Sequence, residues 1–121
     1  MGLPLKDSVA SLSDGDRFDS NEGKLDALHS RFRDHTVALF EKHGMSNVGY
    51  WVPVDNKDNK LVYLMAYPNR EARKKMWKAF MSDPNWKITY KNSIADGRLV
   101  KKVESQFLSA TPYSPEIKVI P

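Results

Sequence analysis

Three histidines, His29, His35 and His43, fall in one segment whose apolar spacing predicts a helix. Their spacings of six and eight keep them from converging on one metal from a single turn, and the chain has no cysteine, so no metal site is expected. His35 lies on the flank of the predicted apolar stripe and His43 on its centre line, while His29 falls on the opposite flank, toward solvent. Both His35 and His43 could therefore face an interior, and His35 is the candidate for chemistry. The competing reading makes His35 a hydrogen-bonded structural histidine and His43 a cap on the last helix carbonyls. A second set, Phe32, His35, Leu39, Trp51, Tyr67, Trp77 and Trp86, could line a mostly apolar pocket for a small apolar or aromatic ligand, or could simply be core.

Arg70, Arg73, Lys74, Lys75 and Lys78 gather positive charge on one predicted helix. Such a face is either an anion site or solvated surface. No aromatic residues interleave with the lysines as stacking platforms, so no nucleic-acid partner is expected. There is no Gly-rich phosphate loop, HExxH motif or GxSxG elbow, and no acid pair of the kind glycoside chemistry uses. The residues name no cofactor.

These side chains need a frame, and 121 residues at 40% hydrophobic suffice for one packed domain. No apolar run approaches the roughly 18 to 20 residues of a membrane span, and the start MGLPLKDSVASLSDGD lacks the pattern of a secretory signal. A soluble, cytoplasmic protein with no membrane partner is expected. The net charge of +4 is modest.

In chain order, residues 1–22 read as an irregular N-terminal segment rich in Ser, Asp and Gly, with Asp7 to Ser13 the best place for a strand. A helix follows Gly23, its stripe Leu25, Leu28, Phe32, Thr36, Leu39 and His43, and Gly44 ends it. Val48 to Val54 alternates as a strand that Pro53 should terminate or place at an edge. Asp55 to Lys60 is a turn, and Leu61 to Tyr67 a second, antiparallel strand. Asn69 caps a helix over Arg70 to Met81, and Asp83-Pro84 starts another that carries Trp86 and Tyr90, read as core in preference to a ligand platform. Leu99 to Ser109 is the last strand, with Val103, Ser105 and Phe107 on one face, and residues 110–121 form a Pro-rich arm.

This order, strand, helix, strand, strand, broken helix, strand, is the α+β, ferredoxin-like β-α-β-β-α-β arrangement with an antiparallel sheet. Helices on one face leave the other open, carrying Tyr50, Val52, Tyr63 and Met65 or their alternates. A homodimer pairing two sheets face to face would cover it.

The phrases GKLDALHSRFRDHTVALFEKHGM, NVGYWVP, LVYLMAYPNREARKKMWKAFMSDPNW and KVESQFLSATPYSP resemble the NIPSNAP proteins of the dimeric α/β-barrel superfamily, over residues 23 to 115. The resemblance implies a ferredoxin-like subunit over 23–109 that pairs into a dimeric α/β barrel. Family members begin with a strand of the type Tyr-x-Leu-Arg-x-Tyr before a Pro-Gly-Lys turn. Here Glu22-Gly23-Lys24 occupies the turn and LSDGDRFDSN the strand, so an irregular or displaced first strand is expected. The resemblance implies no single reaction. It leaves three readings: a small-molecule pocket between helices and sheet, a cofactor-independent monooxygenase or haem-binding or haem-degrading enzyme in which His35 would act as base or axial ligand, and a protein-interaction module without a ligand.

Overall fold

The acid-rich stretch LSDGDRFDS forms an interior strand of the sheet. In the computed structural model, which describes residues 12–119, it is β1 (Leu12–Ser20), paired antiparallel with strands on both sides. Of the expected strand at Asp7 to Ser13, only Leu12 and Ser13 belong to it, and residues 7–11 lie outside the described ones. The strand stands where the family pattern requires, just ahead of the turn closed by Lys24 N–H donating to the Asn21 carbonyl at 2.9 Å. Its irregularity is confined to a register shift against the neighbouring strand at Asp19/Ser20. The coil reading of this stretch is therefore corrected. Leu12, Asp14, Asp16, Phe18 and Ser20 point to the helix side, where distant partners satisfy the acids.

The remaining strands are β2 (Ser46–Trp51), β3 (Lys60–Tyr67) and β4 (Val100–Leu108), in the spatial order β2-β3-β1-β4. All pairings are antiparallel, which is the ferredoxin-like topology expected from the element order. β2 stops two residues before Pro53, whose missing N–H cannot extend the ladder. In the connecting loop, the Asn56 side chain accepts from Lys60 N–H at 2.7 Å and donates to its carbonyl at 2.9 Å, fixing the hairpin register.

The first helical segment comprises α1 (Leu25–Arg31), a π-helical turn (Phe32–Thr36) and α2 (Val37–Lys42). Leu28, Phe32, Thr36 and Phe40 are all buried, a repeat of four that would drift around a 3.6-residue helix. The wider π turn absorbs that drift, and Thr36 Oγ1 donates to the Arg31 carbonyl at 3.2 Å inside it. The buried residue after Thr36 is thus Phe40, with Leu39 only half-buried beside it. Gly44, at φ +79°, ends the segment as expected.

α3 (Arg70–Ser82) starts at Asn69, whose side chain accepts from Ala72 N–H at 2.8 Å. α4 (Pro84–Ser93) starts at Asp83, which accepts from Asn85 N–H at 2.8 Å, with Pro84 in the first turn. Asp83 also takes His43 Nε2 at 2.7 Å and Lys42 Nζ at 2.8 Å. These bonds hold its carboxyl well below the usual carboxylate range. His43 therefore ties the end of the first helical segment to the start of α4 instead of capping its own last carbonyls.

The core lies between helices and sheet and is strongly aromatic. Phe32 packs on Tyr63 at 5.2 Å and Tyr50 at 5.4 Å, and Phe80 packs on Phe40 at 4.8 Å and Trp86 at 4.7 Å. Tyr50, Tyr63 and Met65 thus lie under the helices. The open face of the sheet carries the alternate set: Trp51, Val62, Leu64, Gly15 and Leu108. The Trp51 ring lies against Gly49, where a Cβ would sit 2.6 Å from it, so a larger residue there would displace the exposed indole. Beyond β4, the arm turns at Pro112 to Ser114, and Val119 is buried. Among the described residues no helix is long and apolar enough to cross a membrane.

Candidate functional site

Two places concentrate polar chemistry. The first is a seam where α3 meets β1, β3 and β4. β1 aims Asp14 toward the helix layer, where its side chain is 1% exposed. α3 brings Arg73 and Trp77 to one flank, one turn apart. Arg73 Nε donates to Asp14 Oδ2 at 2.7 Å, and the Tyr67 hydroxyl donates to the same oxygen at 3.2 Å. Trp77 Nε1 in turn donates to the Tyr67 hydroxyl at 2.9 Å. A buried carboxylate is costly unless paired and hydrogen-bonded, and here every member has its partner. Burial, then the Asp14 charge, pushes the Tyr67 hydroxyl above the ordinary phenol range.

Next to it on β1, Asp16 accepts a hydrogen bond from Ser105 of β4. Burial raises its pKa above the usual carboxylate value, and the neighbouring Asp14 adds to the effect, against the hydrogen bonds from Ser105 and Tyr63. The seam opens over β4. Phe107, on the helix side of that strand, is 46% exposed, and the guanidinium groups of Arg70 and Arg73 lie 4.3 and 4.8 Å from its ring centre.

The second place is a cleft of about 490 Å³ on the outer side of the helix layer. It is lined by Ala27, Ser30, Arg31, Asp34 and His35 from the first helical segment, and by Ile88, Thr89, Asn92 and Ser93 from α4.

The structure distributes the sequence-predicted residues between these regions. Tyr67 and Trp77 meet in the seam. Phe32 is buried in the aromatic core, with Leu39 half-buried against it. Trp86 also packs on that core and lies beneath the Arg31 guanidinium. His35 is exposed in the outer cleft, with no hydrogen bond among the described residues, and Trp51 is 54% exposed on the open sheet face. Those two do not join the others. Lys74, Lys75 and Lys78 are exposed; Arg70 of the same basic helix, also exposed, lies over Phe107, and Arg73 is tied to Asp14 in the seam. Sequence reasoning missed Asp14, Asp16 and Ser105; alternation of Asp14, Asp16 and Phe18 across a single strand was the available signal. No group of metal-ligating side chains occurs among the described residues.

Among curated proteins none matches this chain. Solved structures do. An uncharacterised NIPSNAP domain protein from Burkholderia xenovorans aligns with a TM-score of 0.75 at 18% identity, covering 86% of this chain and 98% of that one. A NIPSNAP family protein of unknown function from Agrobacterium tumefaciens gives 0.76 at 19% identity, covering 92% and 96%. A proposed antibiotic biosynthesis monooxygenase from Nitrosomonas europaea gives 0.59 at 13% identity, covering 82% and 97%. At these identities the likeness concerns the fold alone. The NIPSNAP family model, however, matches residues 16–115, from within β1 to beyond β4, and the chain belongs to the NIPSNAP family.

Proposed function

We propose that this NIPSNAP domain is a homodimer that binds a small aromatic molecule in the seam between α3 and β4. The observation that carries the reading is the convergence of Asp14, Tyr67, Arg73 and Trp77 beside the half-exposed ring of Phe107. A ring stacked on Phe107 would have Arg70 and Arg73 within reach of a polar or anionic substituent. Asp14 holds Arg73 by Nε, leaving the outer nitrogens of that guanidinium for a ligand.

Support for the homodimer comes from the open sheet face. Trp51, Val62, Leu64 and Leu108 line it around Gly15, and a hollow of about 330 Å³ bounded by Gly15, Arg17, Glu104 and Gln106 would receive side chains of a second copy. A monooxygenase or haem reading built on His35 draws no support from the seam, because His35 stands in the outer cleft. Nor does the interaction-module reading account for a buried polar network next to a half-exposed aromatic ring.

Native mass spectrometry of the purified protein tests the proposal. The expected species is a dimer with a retained small-molecule adduct that is lost in Phe107→Ala and in Arg70→Ala. A dimer without adduct, whose tryptophan emission also ignores added aromatic carboxylates such as benzoate, would overturn the ligand reading, and a monomer would overturn the assembly.

A further inference from the structure

The outer cleft holds a cation that no carboxylate among the described residues neutralises. Arg31 is 7% exposed, yet no carboxylate pairs with it among the described residues, and its Nε is buried without a hydrogen-bond partner. The one side-chain hydrogen bond it makes among the described residues runs from Nη1 to Ser93 Oγ at 3.2 Å. The flat face of the guanidinium is covered instead, by Trp86 at 5.4 Å and Tyr90 at 5.5 Å from the ring centres. Burying an arginine is costly when charge and donors go unanswered. Arg73, a less deeply buried arginine, has Asp14 of β1 for that purpose. Arg31 has two aromatic faces and one hydroxyl.

We infer that the cleft between α1 and α4 is a binding site for a small anion, a carboxylate or phosphate group, with Arg31 as its counter-charge. The surrounding residues suit that role. Ser30, Thr89 and Ser93 offer hydroxyls, Asn92 an amide and His35 an imidazole, while Ala27 and Ile88 give an apolar wall for whatever carries the anion. α4, which supplies Ile88, Thr89, Asn92 and Ser93 to the lining, contains no acid. The one acid in the cleft, Asp34, is already engaged by Arg33, which reaches it through Nε at 3.1 Å and Nη2 at 3.5 Å. The site thus combines a desolvated guanidinium, where charge-assisted hydrogen bonds are strongest, with neutral hydroxyl and amide donors, and its carboxylate among the described residues is the ion-paired Asp34. It is separate from the seam, and its ligand need not be the seam's.

The test is an amide NMR titration at constant ionic strength with inorganic phosphate, with benzoate, and with chloride as the control. Saturable shifts at Ser30, Asn92 and Ser93 are expected with phosphate or benzoate, and none with chloride. Whichever anion saturates assigns the class. Arg31→Met keeps an unbranched stem against Trp86 and Tyr90 and removes the charge; affinity should fall about tenfold or more, the size of a lost charge-assisted bond. Should Arg31→Met not fold, the exposed His35→Ala and Asn92→Ala carry the test, each expected to weaken binding about threefold or more, as loss of a single donor does. Wild-type shifts that fail to saturate with either anion, or that persist unchanged in these variants, would overturn the site and leave Arg31 as a strut between α1 and α4.

Discussion

Single side chains in this protein are held by partners far along the chain, and their energetics follow from that. Phe32 is the clearest apolar case: ring contacts to Phe18, Phe40, Tyr50 and Tyr63 surround it. Phe32→Ala should cost about 3 to 5 kcal/mol in urea unfolding, the range for a truncated buried aromatic. An unchanged midpoint would place the ring in an open pocket. Asp83 is the polar counterpart, joined to Lys42, His43 and Asn85 N–H. Its folded-state pKa is depressed, so its contribution is present above the ordinary carboxylate value of about 4 and is lost as pH falls through the folded value. The stability gap between wild type and Asp83→Asn should therefore be wide at neutral pH and narrow in acid. A gap that stayed constant would mean that the carboxylate charge is not what matters there. His35 and Trp51 show the limit of reading residue types: both are of the right kind for a pocket, and the structure puts them on separate surfaces.

Elements were legible where their signals are local. Asn69 and Asp83 cap the helices that their side-chain chemistry predicts, Gly44 ends the segment it should, and Pro53 lies just past the end of its strand. Asn69→Ala should cost about 0.5 to 2 kcal/mol, seen as a lower unfolding midpoint. Two elements resisted for non-local reasons. β1 looks like coil because Asp14, Asp16 and Asp19 interrupt its apolar pattern. The groups that answer them, Arg73, Tyr67, Ser105 and Lys60, come from elsewhere in the chain. The π turn changes the periodicity partway along the first helical segment, so a fixed step of 100° per residue selects Leu39 over Phe40. Phe40→Ala should accordingly destabilise the fold more than Leu39→Ala when both are unfolded in urea. The reverse order would mean that the helix keeps its α register in solution.

At the scale of the molecule, the order of elements was enough to give the antiparallel ferredoxin-like sheet, while the seam was not legible, because it depends on which face of β1 meets α3. The proposed homodimer makes its own prediction. Leu64→Asp on the open face should leave the subunit folded by circular dichroism and convert the assembly to monomers in light scattering. A dimer that survives must use another surface.

The acids of β1 also bear on how the chain avoids misassembly. Strands with free edges can stack in register with copies of themselves, about 4.8 Å apart. In such a stack β1 would set Asp14 on Asp14, Asp16 on Asp16 and Asp19 on Asp19, repeated without limit. Only the native neighbours bring Arg73, Tyr67, Ser105 and Lys60 to those carboxylates. The strand paired on both sides in the sheet is thus poorly suited to nucleate a fibril, and a chain caught before β1 inserts should stay dispersed instead of aggregating through it.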